Sequence, residues 1–370
     1  MYDVIIVGGG LSGLVSSIVL AKAGKKVLLV EKKSYPFHKV CGEYVSNEVR
    51  PFLESIGLDL NAIGVKNIEK FVFTSPKGKK LNTNLDLGGF GISRYKLDET
   101  LYQLALNNGV EFILQKSVDQ IDFHDNNFTI YLSDNQQFTS KIVIGAFGKR
   151  TLLDAKLDRQ FLKKKSPYLA VKYHIKTDFP QNVIALHNFE NGYCGISAIE
   201  NDNYCLCYLT SRSNLKKQGT ISAMEKNVLM KNPFLKHIFE NAEFIYDKPL
   251  VINEISFAPK SLIENHILMI GDTAGLITPL CGNGMAIAIH AAKISSELIV
   301  RFLNQDITRP ELELRYENSW KNEFSTRLWL GRMVQRLFGN VILSEIAAHF
   351  LGVFKPILGI IIKNTHGKVI

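Results

Sequence analysis

Gly8, Gly10 and Gly13, with Gly9 and Ser12 among them, follow the apolar run Val4-Ile5-Ile6-Val7 and precede a helical pattern from Leu14 to Ala23. In that setting each glycine has a distinct physical use. Gly8 permits a tight turn, Gly10 lets backbone approach a pyrophosphate, and Gly13 lets the helix pack closely on the strand. Amide donors and the partial positive charge of a helix N-terminus then serve an anion. A second apolar strand, Lys26 to Val30, ends at Glu31, whose carboxylate can accept from both hydroxyls of a ribose. The chemistry expected here is capture of the adenosine diphosphate half of a dinucleotide. Gly8, Gly10, Ser12, Gly13, Glu31 and Lys32 are the candidate binding residues, and NAD and FAD both fit them.

A second glycine-rich stretch separates the two. Gly271-Asp272-Thr273-Ala274-Gly275-Leu276-Ile277-Thr278-Pro279-Leu280-Cys281-Gly282-Asn283-Gly284-Met285 follows the apolar run 267 to 270 and opens a helix that reaches Leu303. It resembles the C-terminal flavin motif of the group 2 FAD-dependent enzymes, which include aromatic hydroxylases, flavin halogenases and geranylgeranyl reductases. The resemblance implies FAD, with Gly271 and Asp272 at the ribityl chain and the amides of Gly282, Asn283 and Gly284 at the pyrimidine edge. A helix opening at Met285 would favour negative charge on the reduced ring. Cys281 falls in the same loop.

Two further segments extend the likeness. Lys39-Val40-Cys41-Gly42-Glu43 resembles a segment of the geranylgeranyl reductase branch that lies over the isoalloxazine, which adds Cys41 and Gly42 to the cofactor set. Arg94, Leu97 and Asp98 resemble the R-x-x-L-D start of a flavin-domain helix whose arginine approaches the cofactor. Val118 stands where the family contacts the adenine through backbone. Cys41 is the candidate catalytic residue, as a proton donor; the alternative is a small apolar residue packing the loop on the cofactor. His38 and His290 are the other titratable residues near these motifs, the latter read as a half-buried structural histidine.

The chain also departs from family patterns. Phe147, in Gly145-Ala146-Phe147-Gly148, replaces the aspartate of the NADPH-dependent hydroxylases. Trp320 and Trp329 are the only tryptophans, so the halogenase W-x-W-x-I-P motif is missing. Tyr193-Cys194-Gly195-Ile196-Ser197 keeps the tyrosine of the reductase Y-x-W-x-F-P stretch but has glycine for tryptophan.

These residues need a scaffold of definite kind. Continuous apolar runs at 4–7, 26–30, 143–146 and 267–270 read as strands buried on both faces of a parallel sheet, the first two joined by a right-handed βαβ crossover. Lys96 to Asn108 reads as a helix. Ser133-Asp134-Asn135 reads as a hairpin turn between strands. Short β-like runs over 168–210 predict a second sheet, residues 220–241 a helical stretch, and everything past Arg309 amphipathic helix. The expected fold is α/β: a Rossmann-type FAD-binding domain (1–75, 92–160 and 255–305) interleaved with a β-sheet substrate domain (76–91 and 161–254). A helical C-terminal region, 306–370, completes it.

Length and composition are those of a globular chain: 370 residues, 46% hydrophobic and 21% charged. The net charge is +9, and the tail from Arg327 holds six Lys and Arg residues against Glu345 alone. A basic amphipathic tail suits either packing on the first domain or peripheral contact with an anionic membrane. No zinc-finger or RNA-binding pattern accompanies the charge, which argues against nucleic acid. Apolar runs in the tail are broken too often to span a bilayer, although Phe354 to Ile362 would suit the wall of a lipid-sized tunnel. Five sparse cysteines without a CxxC pair or signal segment point to a reducing cytoplasm and away from a metal site. The expected activity is geranylgeranyl reductase-like, a hydride passed from reduced flavin to a hydrophobic isoprenoid or polyketide-derived substrate. The alternatives are a monooxygenase or a non-catalytic electron-transfer flavoprotein. The electron donor is NADPH, a ferredoxin-like partner or free reduced flavin.

Overall fold

A computed structural model describes residues 1–164, 166–276, 282–338, 340–353, 359 and 366–370. The first expectation is met at once. β1 (Tyr2–Val7), α1 (Leu11–Lys22) and β2 (Val27–Glu31) form a parallel crossover unit in which Val4 pairs with Val27 and Val7 with Val30. The sheet continues on both sides in parallel, with strand Gln137–Gly145 beside β1, strand Ile267–Met269 beyond it, and strand Glu111–Leu114 beside β2. Strands Val118–His124 and Asn127–Leu132 form a hairpin that joins the edge of Gln137–Gly145. Val4–Val7 of β1 and Val27–Val30 of β2 are continuously apolar because helices cover the sheet. Helix Leu11–Lys22 packs against both Arg94–Asn107 and Gly284–Leu303, and all three share one apolar core with the sheet.

The second sheet is larger and mostly antiparallel. Its path runs through strands Glu243–Phe244, Tyr168–Lys176, Tyr204–Ser211, Gly192–Ala198, Val183–Phe189, Lys66–Thr74, Lys80–Gly91 and Tyr44–Ser46, and Leu250–Ile255 also pairs with Tyr168–Lys176. This corrects the expected boundary: strands 44–46 and 66–74 belong to the second layer, and position 75 falls inside a hairpin. The reason is pairing, since Val72 and Phe73 take their register from Ala185 and Leu186 far along the chain.

Period-two alternation gives this sheet two faces. Leu169, Val171, Tyr173 and Ile175 join Met224, Leu235 and Ile238 of helices Ile221–Asn227 and Pro233–Asn241 in one core. Phe73, Ala170, Leu186, Tyr193 and Leu209 look the other way, towards Val40, Leu276 and the C-terminal helix Val341–Val353, which contributes Ala348 and Leu351.

Helix Arg309–Phe338 buries Leu312, Tyr316, Trp320, Phe324 and Leu328, one residue per turn, in the core of the first domain. Arg327 is buried as well, 3.0 Å from Glu48. Packing therefore accounts for this helix as far as Leu328. Trp329, Met333, Ile342, Leu343, Ile346, Phe350 and Val353 are exposed. No described helix is long and apolar enough to cross a membrane. The run 354–362, apart from Gly359, lies outside the described residues.

His187 faces the helical side of the second sheet, 2.9 Å from Thr74 Oγ1 and stacked on Phe234, so it does not serve the cofactor side. Burial, helped by the charge of Lys80, pushes its ring down to about 3 from 6.5. The folded value lies below the unfolded one, so the unfolded chain takes up a proton that the folded protein refuses as pH falls. From about pH 6 to 4 this group should remove up to about 1.4 kcal/mol of stability per pH unit. Urea midpoints measured across pH should show a shallower acid slope in His187→Gln than in wild type.

Candidate functional site

The glycine turn has the geometry its spacing foretold. Gly8 adopts φ +107°, and a Cβ there would collide with the Ala146 carbonyl. A Cβ on Gly13 would strike the carbonyl of Gly8, so only glycine allows the helix this close to the strand. Gly10 differs: Lys39 Nζ, 3.8 Å away, is the one group near its would-be Cβ, which leaves its backbone open to a ligand. Gly10 caps α1 without a side-chain hydrogen bond and no acid stands in the first turn, so its amides remain available to an anion. Glu31, buried at the end of β2, accepts from the amides of Gly9 at 2.7 Å and Lys33 at 3.1 Å. Lys32 beside it is exposed. Val118 opens a strand shortly after Leu114, the register partner of Glu31, with its side chain buried. Tyr35 was missed by sequence reasoning: its hydroxyl donates to the Gly9 carbonyl at 2.6 Å while its ring stacks on Tyr102.

The second glycine-rich stretch meets this turn from the other side. Gly271 has φ +58°, and its would-be Cβ lies 2.5 Å from Ser12 Oγ, which puts the Gly271-Asp272 pair against the start of α1. Asp272 is solvent-accessible yet closely surrounded. The protein atoms around it displace water and raise its carboxyl against the opposing pull of Lys260, Arg94, Lys39 and Lys149. Lys260 donates to the Asp272 carbonyl at 2.8 Å, and burial draws its ammonium down to about 8. Residues 277–281, Cys281 included, lie outside the described residues. Asn283 caps helix Gly284–Leu303 with no side-chain bond to its amides, and Gly282 and Met285 flank that opening. Asn283 Nδ2 lies 3.4 Å from Glu48, which also receives Arg327 and the amide of Gly367. His290 is buried edge-on against Phe324 with its pKa lowered by burial, as a structural histidine should be.

Arg94 and the 39–43 segment close the cleft. Arg94 grips Asp98 through Nε at 2.7 Å and Nη2 at 2.8 Å, and Lys39 reaches the same carboxylate at 3.0 Å. Arg94 is also near enough for its charge to act on Cys41 and on Asp272. Burial raises the Cys41 thiol, and the opposing influences of Arg94, the Glu43 amide and Lys172 do not overcome it. This thiol stays protonated. Gly42 is exposed beside it.

Glu43 is the residue that the sequence did not single out for chemistry. It has φ +55° and no exposed surface. Its Oε1 accepts from Lys172 and from the Arg94 amide at 2.7 Å, and its Oε2 lies 2.6 Å from His174 Nε2. Burial alone would raise this carboxyl, but Lys172 and His174 outweigh burial and hold it below the usual range. The second sheet also fastens the backbone of the segment. Lys172 donates to the Lys39 carbonyl at 3.1 Å, Cys205 to that of Cys41 at 3.3 Å, and Ser197 to that of Gly42 at 3.3 Å. Lys172 and His174, the buried basic side chains of strand Tyr168–Lys176, are both engaged by Glu43.

One face of the second sheet is thus divided. Lys172, His174, Ser197 and Cys205 hold the 39–43 segment, while Phe73, Ala170, Leu186, Tyr193 and Leu209 form an apolar area next to it. Gly195 lies between them, partly accessible, and its would-be Cβ would meet Leu186 at 3.5 Å in ordinary contact. Its missing side chain leaves room above the sheet.

Removing the cation from a buried pair strands the anion. Lys172→Met should therefore cost about 3–5 kcal/mol of stability, and Glu43→Gln/Lys172→Met should recover a large part of it. Urea unfolding of the two variants side by side measures the difference.

Known proteins match this arrangement. A family described as "FAD binding domain" matches residues 1–304. A digeranylgeranylglycerophospholipid reductase of Methanocaldococcus jannaschii is 24% identical over 87% of this chain and 83% of its own length. A 1H-pyrrole-2-carbonyl-[peptidyl-carrier protein] brominase of Pseudoalteromonas luteoviolacea is also 24% identical, over 87% of this chain and 80% of its own. Among solved structures, the flavin-dependent brominase Bmp2 superposes with a TM-score of 0.78 at 18% identity, covering 98% of this chain and 93% of that one, a likeness of fold. With its glycine turn and Asp272 stretch facing one cleft, the chain belongs to the FAD binding domain family, as a group 2 FAD-dependent oxidoreductase near the geranylgeranyl reductase branch.

Proposed function

We propose that this enzyme reduces an activated double bond of a hydrophobic substrate, with FAD held across the cleft between the glycine turn and the 39–43 segment. The open approach at Gly10 and the uncapped amides of α1 fit a pyrophosphate, and Glu31 fits a ribose. Gly271, Asp272, Gly282, Asn283, Gly284 and Met285 fit the ribityl and pyrimidine side, with Arg94 at the cleft wall. When bound and reduced, the flavin supplies a hydride. The chain orients the substrate, excludes water and provides a proton. Cys41, kept protonated by burial, is the group of the 39–43 wall suited to give that proton.

The observation that carries this reading is the divided face of the second sheet. A charged substrate would need unengaged charged anchors, since an unpaired buried charge is costly. Lys172 and His174 are already bound to Glu43, and the neighbouring surface is Phe73, Ala170, Leu186, Tyr193 and Leu209. That surface, packed here against Ala348 and Leu351 of helix Val341–Val353, would suit an isoprenoid or polyketide-derived chain where it borders the cleft at Gly195. Peripheral contact with an anionic membrane, through the exposed apolar residues of helix Val341–Val353, would give such a molecule its way in. No second Gly-x-Gly-x-x-Gly follows an apolar strand. This favours electrons arriving from transiently bound NADPH, a ferredoxin-like partner or free reduced flavin.

A second reading, oxygen-dependent hydroxylation or halogenation by the flavin, has its own support in the relative named a brominase. Anaerobic mixing of the reduced protein with a geranylgeranyl lipid separates the two. Reductase action should reoxidise the flavin without oxygen and add two hydrogens to the lipid by mass. Turnover only with oxygen, giving a hydroxylated or halogenated product, would favour the alternative. For the cofactor, heat-released supernatant should contain FAD and not FMN. Asp272→Ala should weaken FAD retention by about tenfold or more, for a lost charge-assisted hydrogen bond worth about 1.5–3 kcal/mol, and Cys41→Ala should weaken it far less.

A further inference from the structure

Glu43 ends a line of hydrogen bonds that begins at the protein surface. His38 is half-buried and stacks on the exposed ring of Tyr95, with centroids 4.5 Å apart. Its Nε2 lies 3.1 Å from the Tyr246 hydroxyl, and that hydroxyl lies 2.8 Å from His174 Nδ1. His174 Nε2 then meets Glu43 Oε2 at 2.6 Å. Imidazole and hydroxyl groups both donate and accept, so the whole line can reverse its direction by a set of short proton shifts. The other carboxylate oxygen cannot take part. Oε1 is held by the Lys172 ammonium and the Arg94 amide, which donate only. Proton exchange at Glu43 is therefore confined to the oxygen that faces His174.

We propose that His38, Tyr246 and His174 carry protons between solvent and the buried Glu43 carboxylate behind the cleft wall at residues 39–43, and so act as positioning residues that set the charge of that wall while a proton is delivered from it. This rests on the reading of the site as one that saturates a double bond. That reaction consumes one proton for each hydride. One carbon forms a C–H bond with the hydride and its electron pair, the π pair bonds the proton at the other carbon, and the hydride donor is left oxidised by two electrons. Flavin and substrate seated in the cleft would limit the water that could resupply the proton, so exchange with solvent through the wall has a purpose. A metal ion is not the better explanation. Glu43, His174 and Cys205 have ligand atoms within 4.8 Å of one another, but the Lys172 ammonium already occupies Glu43 and would repel a cation.

The charged and titratable groups around the path are Lys172, Cys205 and Glu200 from the second layer, with Lys39, Cys41 and Arg94 from the first. Burial, then His174 and Lys172, lower the His38 ring, so it stays mostly neutral at pH 7 and can receive as well as pass a proton.

Tyr246→Phe keeps the ring and removes the one hydroxyl that links the two histidines. In the full chain with 15N-labelled histidine, solvent exchange of the His174 ring proton, read by NMR, should slow by about tenfold, the effect of one lost hydrogen bond of about 1–1.5 kcal/mol. FAD retention should not change. His38→Gln, a substitution nearer the surface, should slow the same exchange and serves if Tyr246→Phe does not fold. An unchanged exchange rate in whichever variants fold overturns the path, whatever reaction the enzyme performs. If exchange slows but wild-type protein reduces no alkene, the path stands and the reductase reading falls. In an active enzyme, Tyr246→Phe should lower kcat and reshape its pH profile while leaving KM unchanged; an equal loss in KM would show a packing role and overturn the proposal.

Discussion

The structure turns on a negative charge buried between two sheets. Glu43 has no exposed surface, so its carboxylate demands partners, and those partners come from elements far away in sequence. Lys172 and His174 answer from one strand of the second layer, and the Arg94 amide answers from the start of a helix in the first. Meeting this demand joins the layers at one point. It also explains how a non-glycine residue keeps a left-handed backbone conformation, because its side chain and the carbonyls before it are held from several directions. The segment 39–43 is consequently a rigid wall, and Cys41 is presented from it at a fixed place.

Around that wall the charges are arranged in closed accounts. Asp98 takes Arg94 and Lys39, Glu43 takes Lys172, and Glu48 takes Arg327. Asp272 is the exception: no salt bridge among the described residues closes it, and the cations that act on it stand at a distance. In a cleft otherwise so well balanced, an acid with unspent acceptor capacity is suited to hydroxyl groups of a ligand, which donate without bringing charge.

Local geometry was legible in the sequence, and long-range pairing was not. The glycine turn could be read because each requirement is written in one residue: a left-handed φ at Gly8, an open approach at Gly10, a close contact at Gly13. The parallel strands showed as continuous apolar runs, since burial on both faces leaves no room for polar alternation. The tail helix could be read either way, and the four-residue spacing from Leu312 to Leu328 was the sign of packing. Glu43 could not be found this way, because its partners lie 129 and 131 residues away and nothing local marks an acid as buried. Tyr246 was hidden for the same reason. Strand 66–74 was assigned to the wrong layer because a strand's pattern tells which face is apolar but not which sheet it joins.

The order of strands along the chain has one more result. The polypeptide passes from the first layer to the second and back twice: 2–31, 44–91, 94–145, 168–255, then 263–303. No single cut yields two pieces that each own a complete sheet. Exchange of the second layer between relatives, by recombination in nature or in the laboratory, must therefore move two separate inserts together, and the Glu43 partners at 172 and 174 arrive with the second. A graft of residues 168–255 alone would bring a sheet lacking three of its nine strands and a lysine chosen for someone else's carboxylate.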